Sequence, residues 1–273
     1  MNDDIESIEV DLFLEAVYRK YGYDFRDYAR ASIKRRIRNL LSKTGRQSIS
    51  EMIPDLLYDD NYIERWFSNF SITVTEMFRD PNFYVSLKKI LIPYLKTYPF
   101  IKIWHAGCST GEEVYSLAIL LKEEGLYDRA TIFGTDFNDR ALKTAREGIY
   151  PIHYIQNYTK NYQQASGKCS FSEYYHANYD AVILNRNLKE NITFANHNLV
   201  TDRVFGEMHL ILCRNVLIYF NKKLQNHVLS LFKNSLIHHG FLAIGSKESL
   251  RFSEVEKDFD CLDDSWRIYR KNY

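Results

Sequence analysis

The sequence predicts an α/β protein: a doubly wound, mostly parallel sheet, preceded by a helical segment and interrupted by a small β-containing insertion. Three observations predict this. From Phe100 onward, short β-rich runs alternate with helical ones, which is how a parallel sheet covered by helices on both faces is written in sequence. Before Phe100 the apolar residues fall at helical spacing with few strand signals. Between Tyr150 and Asn191 the alternation lapses and tyrosines recur without a fixed period.

Taken in order, the amino-terminal helices are marked by Leu12, Ala16 and Tyr18, then by Ala29, Ile33, Ile37, Leu40 and Leu41. Along the second of these segments Arg26, Arg30, Lys34 and Arg38 fall four apart, with Arg35 and Arg36 beside them. Like charges at that spacing cost a few tenths of a kcal/mol per pair, ~0.2–0.5. The stripe is therefore either a solvated face that tolerates the repulsion or a face that meets an acidic partner.

"FIKIWHAG" reads as an apolar strand ending in a tight glycine turn, "EEVYSLAILLKEEG" as an amphipathic helix closed by Gly125, and "ATIFGTDF" as the next strand. Together they form a βαβ unit of Rossmann-like type. "DRALKTAREGIY" continues as a helix, "NITFANHNL" and "EMHLILCRNV" as strands. "KKLQNHVLSLFKNSLIHHG" reads as a long helix stopping at Gly240, "GFLAIGSKES" as a strand, and "FDCLDDSWRIYRKN" as a closing hairpin at the sheet edge. Within the insertion "YDAVILNRNL" alternates like a strand.

A chain of 273 residues with 45% hydrophobic content buries one good core and a small second one. The net charge of +1 gives no global basic field, which argues against nucleic acid as a partner. The four cysteines, Cys108, Cys169, Cys213 and Cys261, form no C-x-x-C pair, so neither a metal site nor a disulfide framework is expected. The acidic amino terminus "MNDDIESIEV" has no signal-peptide core, and the longest apolar run, "HLILCRNVLIYF", is broken by Arg214. The expectation is a cytoplasmic protein without membrane insertion. No heptad pattern suggests more than a monomer.

In a doubly wound sheet the ligand sits beyond the carboxyl ends of the strands, where strand order reverses. Gly107 and Gly111 bracket the turn after the first strand and allow close approach of a ligand to backbone. Their spacing is neither G-x-G-x-x-G nor a P-loop. Asp136 ends the second strand, where an acidic residue accepts hydrogen bonds from ribose hydroxyls; capping of the following helix is the plain structural alternative. Glu112 and Glu113 open the helix after the turn. They complement its dipole, and they also suit a ligand carrying an ammonium or sulfonium while opposing a pyrophosphate. Ribose plus positive charge describes S-adenosylmethionine better than a dinucleotide.

At this point "ITVTEMFRD", "WHAGCSTGEEVYSLAI", "FGTDFNDRALKTAREGIYP", "ITFANHNL" and "ILCRNVLIYF" occur in the order and approximate spacing of the CheR family, the chemotaxis receptor glutamate methyltransferases. The sequence resembles that family over essentially its whole length. The resemblance implies an S-adenosylmethionine methyltransferase sheet at 81–273, with an inserted β-subdomain at about 151–190, and an all-helical receptor-docking domain with linker at 1–80. It further implies that Thr73, Thr75 and Arg79 face the cofactor and its methyl group. Glu113 then meets the methionyl amino group and Asp136 the ribose. Asn198 and Leu199 line the adenine pocket, Arg214 and Asn215 lie beside the cofactor, and Tyr219 is the active-site tyrosine. With these positions Gly107 completes the cofactor set, while Arg79 and Tyr219 are the residues expected at the reacting groups.

The resemblance also gives the basic helix a role. Arg30, Lys34, Arg35, Arg36 and Arg38 would dock on acidic receptor helices, Arg36 matching a family arginine, while Asn39 and Ser42 replace basic positions and Arg35 and Arg38 are additions. "YYHANYDAVIL" lacks the G-x-G insertion of members that tether to a receptor's carboxyl-terminal pentapeptide, so no such tether is expected. The implied reaction converts receptor glutamates to methyl esters and S-adenosylmethionine to S-adenosylhomocysteine. Two other readings are a CheR-like module that binds cofactor or product without catalysis, and a methyltransferase for nucleic acid or amine nitrogen. Intact Arg79, Glu113, Asp136 and Tyr219 speak against the first. Balanced charge, and the absence of a proline-rich turn after Asn215, speak against the second.

Overall fold

The computed structural model describes residues 3–63, 66 and 75–272. The chain divides into two compact units, Met1–Ile72 with Ile218–His227, and Thr73–Leu217 with Val228–Tyr273.

The first unit contains α1 (Asp3–Tyr21), α2 (Arg30–Thr44) and α3 (Ile53–Tyr58). Val10, Phe13, Leu14 and Val17 of α1 and Ile33, Ile37 and Leu40 of α2 are buried. Phe25 packs edge-on to Trp66 at 4.9 Å, and Tyr28 to Phe220 at the same distance. Leu12, expected in the core, stands 53% exposed together with Ile5 and Ile8. α1 carries apolar residues on two faces, and the sequence pattern alone does not say which of them is buried.

The acidic partner of the basic stripe turns out to be α1. Arg30 pairs with Asp11, Lys34 with Asp3 at 3.1 Å, and Arg38 with Glu6. Arg26 reaches Asp24 at 2.8 Å and Glu15 at 3.1 Å. Repulsion along α2 is therefore offset within the chain.

In the second unit α4 (Pro81–Leu95) precedes β1 (Ile101–Ala106), α5 (Glu112–Glu123), β2 (Ala130–Asp136) and α6 (Asp139–Glu147). The insertion holds β3 (Ile149–Pro151), α7 (Ile155–Gln164), β4 (Tyr175–Asn178) and β5 (Ala181–Leu184). The chain then runs through β6 (Ile192–Asn196), β7 (Met208–Cys213), α8 (Lys222–Ser235), β8 (Leu236–Ile244), β9 (Phe259–Asp263) and β10 (Ile268–Lys271).

The main sheet has the order β6-β2-β1-β7-β8-β10-β9. β6, β2, β1, β7 and β8 pair in parallel, and the β9–β10 hairpin closes the edge antiparallel, as the sequence suggests. Order reverses between β1 and β7, and that switch point opens at the carboxyl ends of those two strands. The insertion forms a separate antiparallel sheet in the order β3-β5-β4. Trp104 fixes the centre of one sheet face, fully buried and stacked on Phe205 at 4.9 Å.

Two elements differ from expectation. α8 ends at Ser235 instead of Gly240, because Leu236 pairs with Met208 and opens β8 early, with a register shift before Leu210. The insertion contains a full helix, α7, whose Tyr158 and Tyr162 are 1% exposed. Ile155, Tyr158 and Tyr162 follow helical spacing that the surrounding tyrosines obscure.

Candidate active site

The turn between β1 and α5 is drawn onto β2 by backbone bonds: the Gly107 and Cys108 N–H groups both donate to the Thr135 carbonyl at 2.8 Å. Gly107 has φ 75°, and a Cβ there would lie 2.6 Å from Val216 Cγ2. Gly111 has φ 92°, and its Cβ would lie 2.9 Å from that of Ala145. Neither position accepts a side chain, so backbone lines the floor of the turn. Left-handed conformations also fall on Phe78, Asp80, Ser109 and Asn215. Each costs of order ~1 kcal/mol, and such strain collects at functional sites.

Asp136 ends β2 half-buried. Its Oδ2 accepts from Ser109 N–H at 2.9 Å and its Oδ1 from Asn138 N–H at 3.0 Å. Burial raises its carboxyl above the usual range, opposed by those bonds and by the Phe137 N–H. Capping of α6 falls instead to Asn138, whose Oδ1 accepts from Arg140 N–H at 3.0 Å and Ala141 N–H at 3.2 Å. Asp136 is thus relieved of the capping duty that the sequence leaves open.

Beside the turn, Arg214 follows β7 and binds two carboxylates. It donates to Glu113 Oε2 at 2.7 Å and Asp80 Oδ2 at 2.7 Å, and its guanidinium lies 3.9 Å from the Phe83 ring centroid. Burial opposes the Arg214 charge, yet Glu113, Tyr84 and Asp80 more than offset it and raise its pKa. Burial likewise opposes the Glu113 charge, but Arg214 and His105 hold that carboxyl below the usual range. His105 Nδ1 lies 3.7 Å from Glu113 Oε1. Arg214 Nη1 also reaches the Arg79 carbonyl at 3.4 Å, which ties Arg79 to this cluster.

Asn198 and Leu199 come next to Asp136 by strand pairing: Asp136 pairs with Asn196, and His197 N–H donates to the Asp136 carbonyl at 3.2 Å. Asn198 Oδ1 accepts from Val200 N–H at 3.0 Å, and Leu199 is 7% exposed. Asn215 is held by Glu248, whose Oε2 accepts from Asn215 N–H at 3.2 Å and Gly245 N–H at 2.5 Å. Among described residues of the second unit the structure therefore gathers Arg79, Gly107, Glu113, Asp136, Asn198, Leu199, Arg214 and Asn215 around one set of strand ends, while Thr75 acts on the neighbouring Glu112 carboxyl.

Three contributors escape the sequence reading as site residues: Asp80, His105 and Glu248. Asp80 and His105 lie within motifs already singled out, whereas nothing local marks Glu248. Thr73 lies outside the described residues. Tyr219 belongs to the first unit, where the Arg36 guanidinium sits 4.4 Å from its ring centroid. Arg36, expected on a docking face, is 6% exposed, and burial lowers its pKa. Arg35 is exposed. Among the described residues no group of three or more His, Cys, Asp or Glu is placed to hold a metal ion, and no helix is long and apolar enough to cross a membrane.

A glycine-floored turn, a strand-end carboxylate and a second carboxylate at the helix start define a doubly wound protein that holds S-adenosylmethionine. The chain matches the family model described as CheR methyltransferase, SAM binding domain, over residues 73–268, and that described as CheR methyltransferase, all-alpha domain, over 8–70. It belongs to the CheR methyltransferase family and is an S-adenosylmethionine-dependent methyltransferase. It is 48% identical to the Cher3 protein of Pseudomonas putida, across 97% of both chains. It is 29% identical to a chemotaxis protein methyltransferase of Borreliella burgdorferi, covering 92% of this chain and 91% of that one. To the protein of the same name from Listeria innocua it is 30% identical, covering 87% and 88%.

Proposed function

We propose that this protein transfers the methyl group to glutamate side chains on the cytoplasmic helices of membrane chemoreceptors, in sensory adaptation, and that it works in the cytoplasm. The observation that carries the reading is the Asp80–Arg214–Glu113 cluster, which sets negative charge at Glu113 for an ammonium and holds the Arg79 carbonyl beside it. Relatives named as chemotaxis protein methyltransferases support it. The domain limits of the sequence reading, 1–80 and 81–273, are kept as part of this proposal.

When bound, the cofactor supplies an electrophilic methyl on a sulfonium. Glu113 would hold the amino group, Asp136 the ribose, and the glycine turn with Asn198 and Leu199 the nucleoside. A solvated acceptor glutamate, which titrates near pH ~4.3, is ionised at neutral pH and needs no general base. One carboxylate oxygen forms the new bond to carbon as the carbon–sulfur bond breaks toward sulfur, and no proton moves. The chain's task is alignment and exclusion of water. Arg79 would orient the acceptor carboxylate, and Tyr219 would donate a hydrogen bond to it.

The experiment is transfer of labelled methyl from S-adenosylmethionine to receptor-containing membranes, followed by mild base. Volatile labelled methanol from receptor bands is the expected result. Tight cofactor binding with no base-labile label on any receptor would overturn the proposal in favour of a binding module without catalysis.

A further inference from the structure

We propose that Glu248 is a positioning residue for the cofactor site, the group that fixes the turn 214–216 and, through it, the glycine turn between β1 and α5. Its carboxyl joins the ends of two neighbouring strands. β7 and β8 pair in parallel as far as Cys213 and Ile244. Just beyond that pair, Glu248 Oε2 accepts from Gly245 N–H at 2.5 Å and from Asn215 N–H at 3.2 Å. In return the Glu248 N–H donates to the Gly245 carbonyl at 2.8 Å, so the side chain folds back over its own turn.

The local sequence is built around that carboxyl. Ser246 and Lys247 are exposed, whereas Glu248 is 5% exposed and Leu250 2%. Hiding an acid beside two solvated residues costs free energy unless the acid is hydrogen-bonded. No apolar side chain in its place could accept from either N–H. Gly245 leaves the room it needs, since a Cβ there would lie 2.8 Å from Glu248 Oε2 and 2.9 Å from the Asn215 nitrogen.

What Glu248 holds is a joint. Asn215 is left-handed, with φ 61°, and each of its neighbours meets the cofactor turn. Arg214 donates to Glu113 Oε2, at the start of α5, at 2.7 Å. Val216 packs on Gly107, its Cγ2 only 2.6 Å from where a Cβ would stand. The path therefore runs from Glu248 through Asn215 to both Glu113 and Gly107, across the ends of β8, β7 and β1, which are adjacent in the sheet. Without the carboxyl, Asn215 N–H loses this acceptor and the joint can relax out of a conformation that is costly for an L-residue, taking Arg214 and Val216 with it. The proposal rests on the placement of Arg214 and Asn215 beside the cofactor, and Glu248 acts through them.

The test measures S-adenosylhomocysteine affinity of the full chain by titration calorimetry, for Glu248→Gln, Glu248→Asp, Gly245→Ala and Asp136→Asn, well below the melting temperature of each variant. There a purely structural residue leaves affinity unchanged, however far its loss lowers the melting temperature. Glu248→Gln keeps an oxygen at the same reach and should bind within about threefold of wild type. Glu248→Asp keeps the charge but falls one methylene short, and should bind about tenfold more weakly, the scale of a hydrogen bond left unmade. Gly245→Ala keeps Glu248 but crowds its oxygen away from Asn215. Gly245 is not left-handed, so the alanine is penalised by that contact alone, and a similar loss of about tenfold is expected. The two changes combined should lose little more than either, because both act on one joint. Wild-type affinity in Glu248→Asp and Gly245→Ala, with weakened binding in Asp136→Asn, would overturn the proposal. So would a Glu248→Gln variant as weak as Glu248→Asp, since an oxygen in place would then not suffice. Wild-type affinity in Asp136→Asn as well would overturn the site placement, and the proposal with it. The readout needs no methyl acceptor, so the outcome is independent of whether receptor glutamates are the substrate.

Discussion

At the scale of single residues the site is organised by Arg214, whose two carboxylate partners lie 101 and 134 positions away in sequence. Replacing it with Ala leaves Glu113 as an uncompensated buried charge and Asp80 without this partner, and urea unfolding should register a loss of about 3–5 kcal/mol. Arg79→Ala should behave differently. It is expected to depress turnover by an order of magnitude or more, ~10-fold, with little change in S-adenosylhomocysteine affinity, because its assigned task is orientation of the acceptor. Equal loss of turnover and affinity would make Arg79 a cofactor ligand instead. Legibility follows the same division. Gly107, Gly111, Glu113 and Asp136 can be read from sequence because turn geometry and helix starts are local. The Glu248 bond to the Asn215 turn joins residues 33 apart, and no periodicity announces it.

At the scale of elements, α7 and α2 show what pattern reading gains and misses. The tyrosines of the insertion pack α7 against the segment 75–80, with Tyr162 at 5.2 Å from Phe78, and Glu123 accepts from both Tyr162 and Tyr174. Asn161→Ala should cost about 1–3 kcal/mol by stranding the Met77 carbonyl, and a thermal melt would show it. Spacing gave α2 as an amphipathic basic helix, but its ion pairs to α1 depend on tertiary placement. Each of the Lys34 and Arg38 pairs has one exposed and one largely buried partner, so a receptor helix docking on α2, as proposed, must compete with α1 for both. The charge-reversed pair Arg35→Glu and Arg38→Glu should weaken binding to receptor membranes, more so at low salt, with S-adenosylhomocysteine affinity intact. Binding unchanged in both proteins at low salt would remove α2 from the docking surface. Arg36 is unsuited to that test, since a glutamate there would be buried beneath Tyr219.

At the scale of the whole molecule, ligand and fold are linked. S-adenosylhomocysteine at about a hundred times its Kd should stabilise the chain by about 2.7 kcal/mol, visible as a rise in the melting transition. The parallel sheet and both domain classes were legible in sequence because alternation and helical spacing are repeated signals, whereas the strand order depends on long-range pairing. The composition of the first unit was not, since it takes Ile218–His227 from far downstream. There Phe220 covers Tyr28, and Asp27 accepts from Asn221 at 3.0 Å and Lys223 at 2.9 Å. A ribosome adding about 5–20 residues per second delivers that segment roughly seven to thirty seconds after Ile72. Through that interval the amino-terminal helices hold Tyr28 without its later cover, so the first unit is finished only after most of the second has been translated.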